Sequence, residues 1–407
     1  TLMKNSRLLW SIVVAFVFLS VVGCKRDPEA ETPATRIKIA ALYSESGSLA
    51  YLGLSSEAAL EIAVEEVNRD FENRKIPFQF DLEVYNTQIN PTLAYQAMQS
   101  IAASGCKLVI GPQTSAEITA IKPLADSLGI LVVSPSSTAS SLSVPNDMIF
   151  RYAPGDQIVG QAMANTMITQ GKQALIAISR SDVGSLGLQA GITGHFASLG
   201  GQVYTEGVFD GTTTDFSTVL ANVKNRILSL TSTMTTDQIG VLSTSFDESI
   251  LLFNQASTDA VLSSVNWYGG VGFFKNQNLL ADAAASQFTV DTHFFSPGFS
   301  LPLGADVEYS SLLANVYSRS GYQADALTLA SYDIFHVMAR MIESNNGLPA
   351  SASSLQQQFF NTSNGHEGVT GIIALNENGD RASGIFDYWG VENANGNYQW
   401  YFIGKSE

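Results

Sequence analysis

Residues 107–143, KLVIGPQTSAEITAIKPLADSLGILVVSPSSTASSLS, constrain the fold more than any other part of the chain. Two short apolar runs, 107–111 and 130–133, each end in a proline followed by hydroxyl residues: Pro112-Gln113-Thr114-Ser115 and Pro135-Ser136-Ser137-Thr138. Strand, turn, helix, strand, turn is the pattern of a parallel α/β unit. In such a sheet both turns leave from the carboxyl ends of the strands, which is where open α/β sheets bind ligands. Thr114 stands at an N-cap position, with Glu117 three residues later as in a capping box. A helix start presents unpaired N–H groups and a positive dipole end, so a small carboxylate or other anion fits there. The two turns also read as capped turns with no further role, and this stretch alone leaves both readings open.

The same alternation runs through the rest of the chain. Residues 37–43 (IKIAALY) read as a buried first strand, followed by a loop carrying Tyr51 and a helix near 54–68. A strand at 78–85, a helix from Pro91, and a strand at 148–152 complete a first run. At residues 153–156 the pattern restarts, with strands expected at 174–179, 203–209, 239–243 and 265–269 and helices at 156–169, 188–198, 215–229 and 247–256. A strand is expected at 288–296, a long helix at 324–343, and strands at 370–375, 384–389 and 398–403. The architecture is α/β and repeats without repeating its sequence, which implies two doubly wound, Rossmann-like lobes.

The N-terminus reads separately. Lys4 and Arg7 precede an apolar run, 8–22, that ends in Val21-Val22-Gly23-Cys24, the form of a secretory signal at residues 1–23. Residues 24–35 are acidic and proline-containing and suit a tether. The other cysteine, Cys106, opens an apolar strand and reads as a small core residue, so no disulfide framework is expected. A net charge of −16 argues against a nucleic-acid surface. His195, His293, His336 and His366 lie far apart, and no HExxH, CxxC, GxSxG or Walker A spacing occurs. No catalytic triad is read from these spacings, and no metal and no cofactor are expected.

Several stretches in order, IAALYSESGSLAYLG at 39–53, LVIGPQTSAEITAIKPLADSLGILVVSPSST at 108–138, FRYAPGD at 150–156, TTTDFSTVLANVK at 212–224, ASYDIFHVMARMI at 330–342 and GVTGIIALNENGDRASGIFDYWGV at 368–391, resemble the type I periplasmic solute-binding proteins. Within that family they are similar to the branch of leucine/isoleucine/valine- and amide-binding receptors of ABC transporters. Val-Val-Gly-Cys resembles a lipobox, which implies lipidation of Cys24 and a tethered place in the cell envelope, periplasmic or extracellular. The resemblance implies two lobes joined by three crossings, near 152–156, 294–298 and 371–376, with lobe one at 36–153 and 296–371 and lobe two at 156–293 and 376–407.

It also implies a small polar ligand, amino acid or amide-like, delivered to an ABC permease. Thr114, Ser115, Ser136, Ser137 and Thr138 stand where the family holds the ligand's carboxylate, Tyr51 where an aromatic covers it, and Phe246 at a further aromatic position. The sequence departs from the family in the second half. Leu186 replaces a tyrosine, and residues 267–272 lack the acid that pairs with an α-ammonium, so either another acid such as Asp182, Asp247 or Glu248 takes that part or the ligand is not an ordinary amino acid. The alternative reading is an envelope lipoprotein that uses the fold as a ligand sensor or protein-interaction module, for example a cell-wall synthase regulator.

Overall fold

The structure, a computed structural model, describes residues 33–406. The signal segment, Cys24 and most of the tether lie outside the described residues. In chain order the first series is β1 (Thr35–Tyr43), α1 (Ala50–Asn73), β2 (Phe78–Asn86), α2 (Pro91–Ala103), β3 (Leu108–Ile110), α3 (Ser115–Leu128), β4 (Leu131–Ser134) and β5 (Ile149–Pro154). The second is α4 (Asp156–Thr169), β6 (Ala174–Arg180), α5 (Val183–Ser198), β7 (Gln202–Phe209), α6 (Ser217–Leu230), β8 (Ile239–Thr244), α7 (Glu248–Ala256), β9 (Asn266–Gly269), α8 (Gln277–Leu280), α9 (Ala283–Asp291) and β10 (Phe295–Phe299). Helices α10 (Ala305–Glu308), α11 (Ser310–Ser320), α12 (Ala326–Asn345) and α13 (Ala352–Ser363) follow, then β11 (Glu367–Gly368), β12 (Gly371–Ile372), β13 (Asp380–Arg381), β14 (Phe386–Ala394) and β15 (Asn397–Lys405).

Two sheets organise these elements, in the orders β13-β5-β4-β3-β1-β2 and β15-β14-β10-β9-β8-β6-β7. The pairs β1/β3, β3/β4 and β4/β5 are parallel, as are β6/β7, β6/β8 and β8/β9. Strands covered by helices on both faces need apolar side chains throughout. All three residues of β3 and all four of β4 are accordingly buried. The first sheet packs with α1, α2, α3, α12 and α13 around one apolar core, while the second carries a core on each face.

The order of each sheet reverses once, between β1 and β3 in the first and between β6 and β8 in the second. At such a switch point the loops of neighbouring strands leave in opposite directions and open a crevice at the carboxyl edge. Two glycines let the first crevice form. A Cβ at Gly53 would sit 1.8 Å from the Ser44 carbonyl oxygen, so only glycine lets α1 nest on the end of β1. Gly111 is in the left-handed region at φ +93, and a Cβ there would lie 2.2 Å from the Leu42 carbonyl oxygen.

Three sequence expectations are corrected. Residues 288–296 are not one strand: Asp282 caps α9 by accepting from the Ala285 amide at 2.9 Å, the helix runs to Asp291, and β10 starts only at Phe295. β10 pairs with β9 and β14, so it belongs to the second sheet and the second crossing falls after Phe299. β13 pairs with β5 in the first sheet, so the third crossing falls between Arg381 and Phe386 rather than at 371–376. A buried ion pair fixes β13 there, Arg151 Nε to Asp380 Oδ1 at 2.6 Å, with Arg151 Nη1 donating to the Ala139 carbonyl at 2.5 Å. Both partners are almost fully buried, so removing either would strand a charge at a cost of about 3–5 kcal/mol.

Candidate functional site

Loops from the carboxyl edges of both sheets converge on one cleft. The first sheet contributes Tyr51 from the start of α1, Gln113, Thr114 and Ser115 from the β3–α3 turn, and Ser136 and Thr138 from the turn after β4. The second contributes Asp182 and Ser185 at the start of α5, Phe246 after β8, and residues 270–272 after β9. The cleft holds about 650 Å³ of empty space, its mouth included.

The first wall is a braced set of hydroxyls and amides. The capping box at Thr114 is present: its hydroxyl accepts from the Glu117 amide at 3.3 Å and donates to Glu117 Oε2 at 2.6 Å. Ser115 and Ser137 share a hydrogen bond at 2.9 Å, Ser134 Oγ donates to the Pro112 carbonyl at 2.6 Å, and Ser136 Oγ donates to the Gln113 carbonyl at 2.8 Å. The two turns are thus tied to each other, and Ser137 lies behind the surface while Ser115 faces it. Of the eight residues put forward from sequence, Tyr51, Thr114, Ser115, Ser136, Thr138, Asp182 and Phe246 line the cleft, and Ser137 does not. Tyr51 sits in the first turn of α1, because the helix begins at Ala50 rather than near 54.

Gln113 was not read from the sequence as a site residue. Its Oε1 accepts from the Ser44 amide at 3.2 Å, which sets the orientation of the side-chain amide, and the residue is one of those that line the cleft. Nε2 is buried and has no partner among the described residues, although the side chain is only 3% exposed. A buried donor without an acceptor costs about 1–3 kcal/mol. The sequence signal was slight, an amide between a proline and an N-cap, since the orphan exists only because Ser44 comes from a different strand end.

Two helix starts face each other here. A Cβ built on Gly184 would lie 3.7 Å from Ser115 Oγ, so the positive ends of α5 and α3 meet across the cleft. The carboxylates of the second wall already have partners. Asp182 Oδ1 accepts from the Gly184 and Ser185 amides at 2.9 and 3.0 Å, and Oδ2 takes the Ser185 hydroxyl and the Arg180 guanidinium. That cap starts α5 at Val183, five residues before the expected start at 188. Asp247 accepts from Asn276 and Asn278. Glu248 accepts from the Phe246 amide at 3.1 Å and lies 3.6 Å from Arg180, and burial raises its carboxyl above the usual range. None of the three projects a free carboxylate for an ammonium group, and residues 270–272 supply only backbone and a valine side chain.

Aromatic rings close the two sides. The Arg180 guanidinium lies 5.0 Å from the centre of the Phe246 ring, a cation–π contact that holds the ring over the cleft. Burial raises the Tyr51 phenol well above its ordinary range, with the Asp325 carboxylate adding to the effect. At the first crossing, burial pushes Asp156 up to about 6. Its amide donates to the Thr138 carbonyl at 2.9 Å and its Oδ2 accepts from the Ser140 amide at 3.3 Å. Among the described residues no group of three or more His, Cys, Asp or Glu is placed to hold a metal ion, and no helix is long and apolar enough to cross a membrane.

The chain is 27% identical over 403 residues to an uncharacterized protein of Methanocaldococcus jannaschii, an alignment that covers 94% of each. Among solved structures, a leucine-binding protein LivK of Thermotoga maritima is similar at a TM-score of 0.69 with 19% identity, over 91% of this chain and 99% of that one. A solute-binding protein of an ABC transporter of Rhodopseudomonas palustris, solved with p-hydroxybenzoic acid, is similar at a TM-score of 0.71 with 14% identity, over 92% and 97%. These structures share the two-lobed fold. The model of the family described as periplasmic binding protein matches residues 36–356, and the chain belongs to that family.

Proposed function

We propose that this protein is an extracytoplasmic solute-binding receptor that captures a small carboxylate-bearing molecule between its lobes and delivers it to an ABC permease. The observation that carries the reading is the unpartnered, buried Nε2 of Gln113, a cleft-lining residue beside the start of α3, which faces the start of α5. A donor in that position is satisfied by an incoming anion, and the dipoles of α3 and α5 favour negative charge there. In this reading Gln113, Ser115 and Thr138 take the carboxylate. Thr114, Ser136 and Ser137 hold the turns in shape, Tyr51 and Phe246 cover the ligand, and Asp182 organises the opposing helix. The first lobe binds, the second clamps, and affinity and closure form one equilibrium.

The solved relatives that carry amino acids or benzoates in transport receptors support this class. The lipobox-like Val21-Val22-Gly23-Cys24 supports an anchor through Cys24 at the cell envelope. An interaction module without a ligand has no use for an orphan donor in a residue of the cleft wall, which weighs against the alternative. A thermal-shift screen of the purified protein against small monocarboxylates, amino acids and amides tests the reading. At least one carboxylate should raise the melting temperature by several degrees, and a screen with no stabilising compound of any class overturns it.

A further inference from the structure

Single apolar side chains on a surface are ordinary, whereas several together mark a place of association. The four most exposed large apolar side chains among the described residues are Leu303, Val307, Ile372 and Ile385, at 99%, 76%, 66% and 55%. They come from three separate segments that meet where the second and third crossings pass. Leu303 lies in the turn after β10, and Val307 follows in α10, its amide donating to the Gly304 carbonyl at 3.0 Å. A Cβ built on Gly371 would sit 3.2 Å from Pro302, which seats Ile372 of β12 beside that turn. The Ser300 amide donates to the Ile385 carbonyl at 2.9 Å, which brings Ile385 to the same place. Three exposed acids, Asp306, Glu308 and Glu367, form the rim. Burial raises the Tyr309 phenol, with the Glu308, Asp333 and Glu367 carboxylates adding to the effect, so Glu308 and Glu367 lie on one side of α10.

We infer that this surface is a docking site for a partner protein that presents an apolar segment flanked by lysine or arginine. The rim decides between occupants. A second copy would meet the patch across a two-fold axis, which sets Asp306, Glu308 and Glu367 against the same three acids, between two chains that each carry a net charge of −16. A lipid surface is itself anionic and repels the same rim. A cationic rim on a partner protein matches it, steering the encounter and fixing the register, while the apolar side chains at the centre lose their contact with water. None of these residues lines the cleft, so the inference goes beyond the receptor reading and stands whichever ligand the cleft takes.

Photo-crosslinking in the cells that make the protein tests this, with p-benzoylphenylalanine in place of Leu303. The same group in place of Leu228, 50% exposed on α6, is the control for an exposed apolar side chain elsewhere. Adducts from position 303 should exceed those from 228 and should map to one protein of different sequence, at an apolar segment flanked by Lys or Arg. A synthetic peptide of that segment should then bind the purified, unaltered protein in calorimetry. Leu303→Ser combined with Val307→Ser should weaken it by at least about ten-fold, the loss expected when two apolar side chains leave the contact. Both side chains lie mostly in solvent, so the fold tolerates their replacement. Raising the salt to about 0.5 M should also weaken binding, and Asp306→Asn with Glu308→Gln should reduce that sensitivity. Adducts with a second copy of this chain or with lipid overturn the choice of partner. Equal yields at the two positions, no adduct at 303, or a peptide that binds the serine variant as tightly overturns the docking site. None of these outcomes bears on the receptor reading, which the thermal-shift screen tests separately.

Discussion

The two walls of the cleft are made differently. The first sheet presents hydroxyls and amides bonded turn to turn, with one donor left over, whereas the second presents acids that already have partners and glycines that admit rings. A wall that keeps an unmatched donor is set to hold an anion in the open state, and a wall whose polar groups are satisfied contributes shape and exclusion of water. Substitutions on the first wall should therefore act on affinity, while those on the second should act weakly unless they change its shape.

The largest expected effect comes from Gln113→Glu. The new carboxylate keeps the acceptor for Ser44 and replaces the orphan donor with a like charge, which costs several kcal/mol against an anionic ligand. Calorimetry should show affinity falling on the order of a thousand-fold. A loss below ten-fold would remove Gln113 from the carboxylate's contacts.

Asp156, at the junction of the two walls, gives a pH signature. Its folded-state pKa, about 6, lies above the ordinary carboxyl value, so the folded protein holds this proton more tightly than the unfolded chain. Its stabilising contribution is fully present below about pH 4 and is lost as pH rises through 6, at most roughly 3 kcal/mol by linkage. Arg151 draws the value down and Asp182 pushes it up. Denaturant titrations should show that Asp156→Asn removes a fall in stability between pH 4 and 6 seen in the unaltered protein. Identical slopes in the two proteins would exclude Asp156 as its source.

Ser115→Ala combined with Thr138→Val takes two hydroxyls from the first wall and should weaken binding by somewhat more than ten-fold, about 1.4 kcal/mol. Unchanged calorimetric affinity would remove both from the site. The smallest effect should come from the second wall. Asp182→Asn keeps the cap on α5 and removes a negative charge, so a carboxylate should bind within about three-fold of the original, or slightly better. A ten-fold loss would mean that Asp182 holds a cationic group of the ligand, and the contrast between the walls would fail.

The sequence made the first wall more legible than the second. Thr114 and Glu117 are three residues apart, so the capping box, the start of α3 and the direction of its dipole follow from local chemistry. Ser115, Ser136 and Thr138 share two turns at the ends of neighbouring parallel strands, and pattern alone brings them together. Gln113 needed the Ser44 amide, 69 positions away, to show which of its atoms is unmatched. The crossings were less legible, because β10 and β13 join sheets that their own short sequences do not specify. β13 is two residues long and is held by Arg151 across the sheet, a contact 229 positions apart in the chain.

The central claim is that the first wall holds a carboxylate through the Gln113 side-chain amide. Native mass spectrometry of the purified protein, with the bound molecule released and weighed, tests this most directly. The account predicts a monocarboxylate bound to the unaltered protein and absent from Gln113→Glu. An occupant without a carboxyl group, or equal retention by the two proteins, would contradict it.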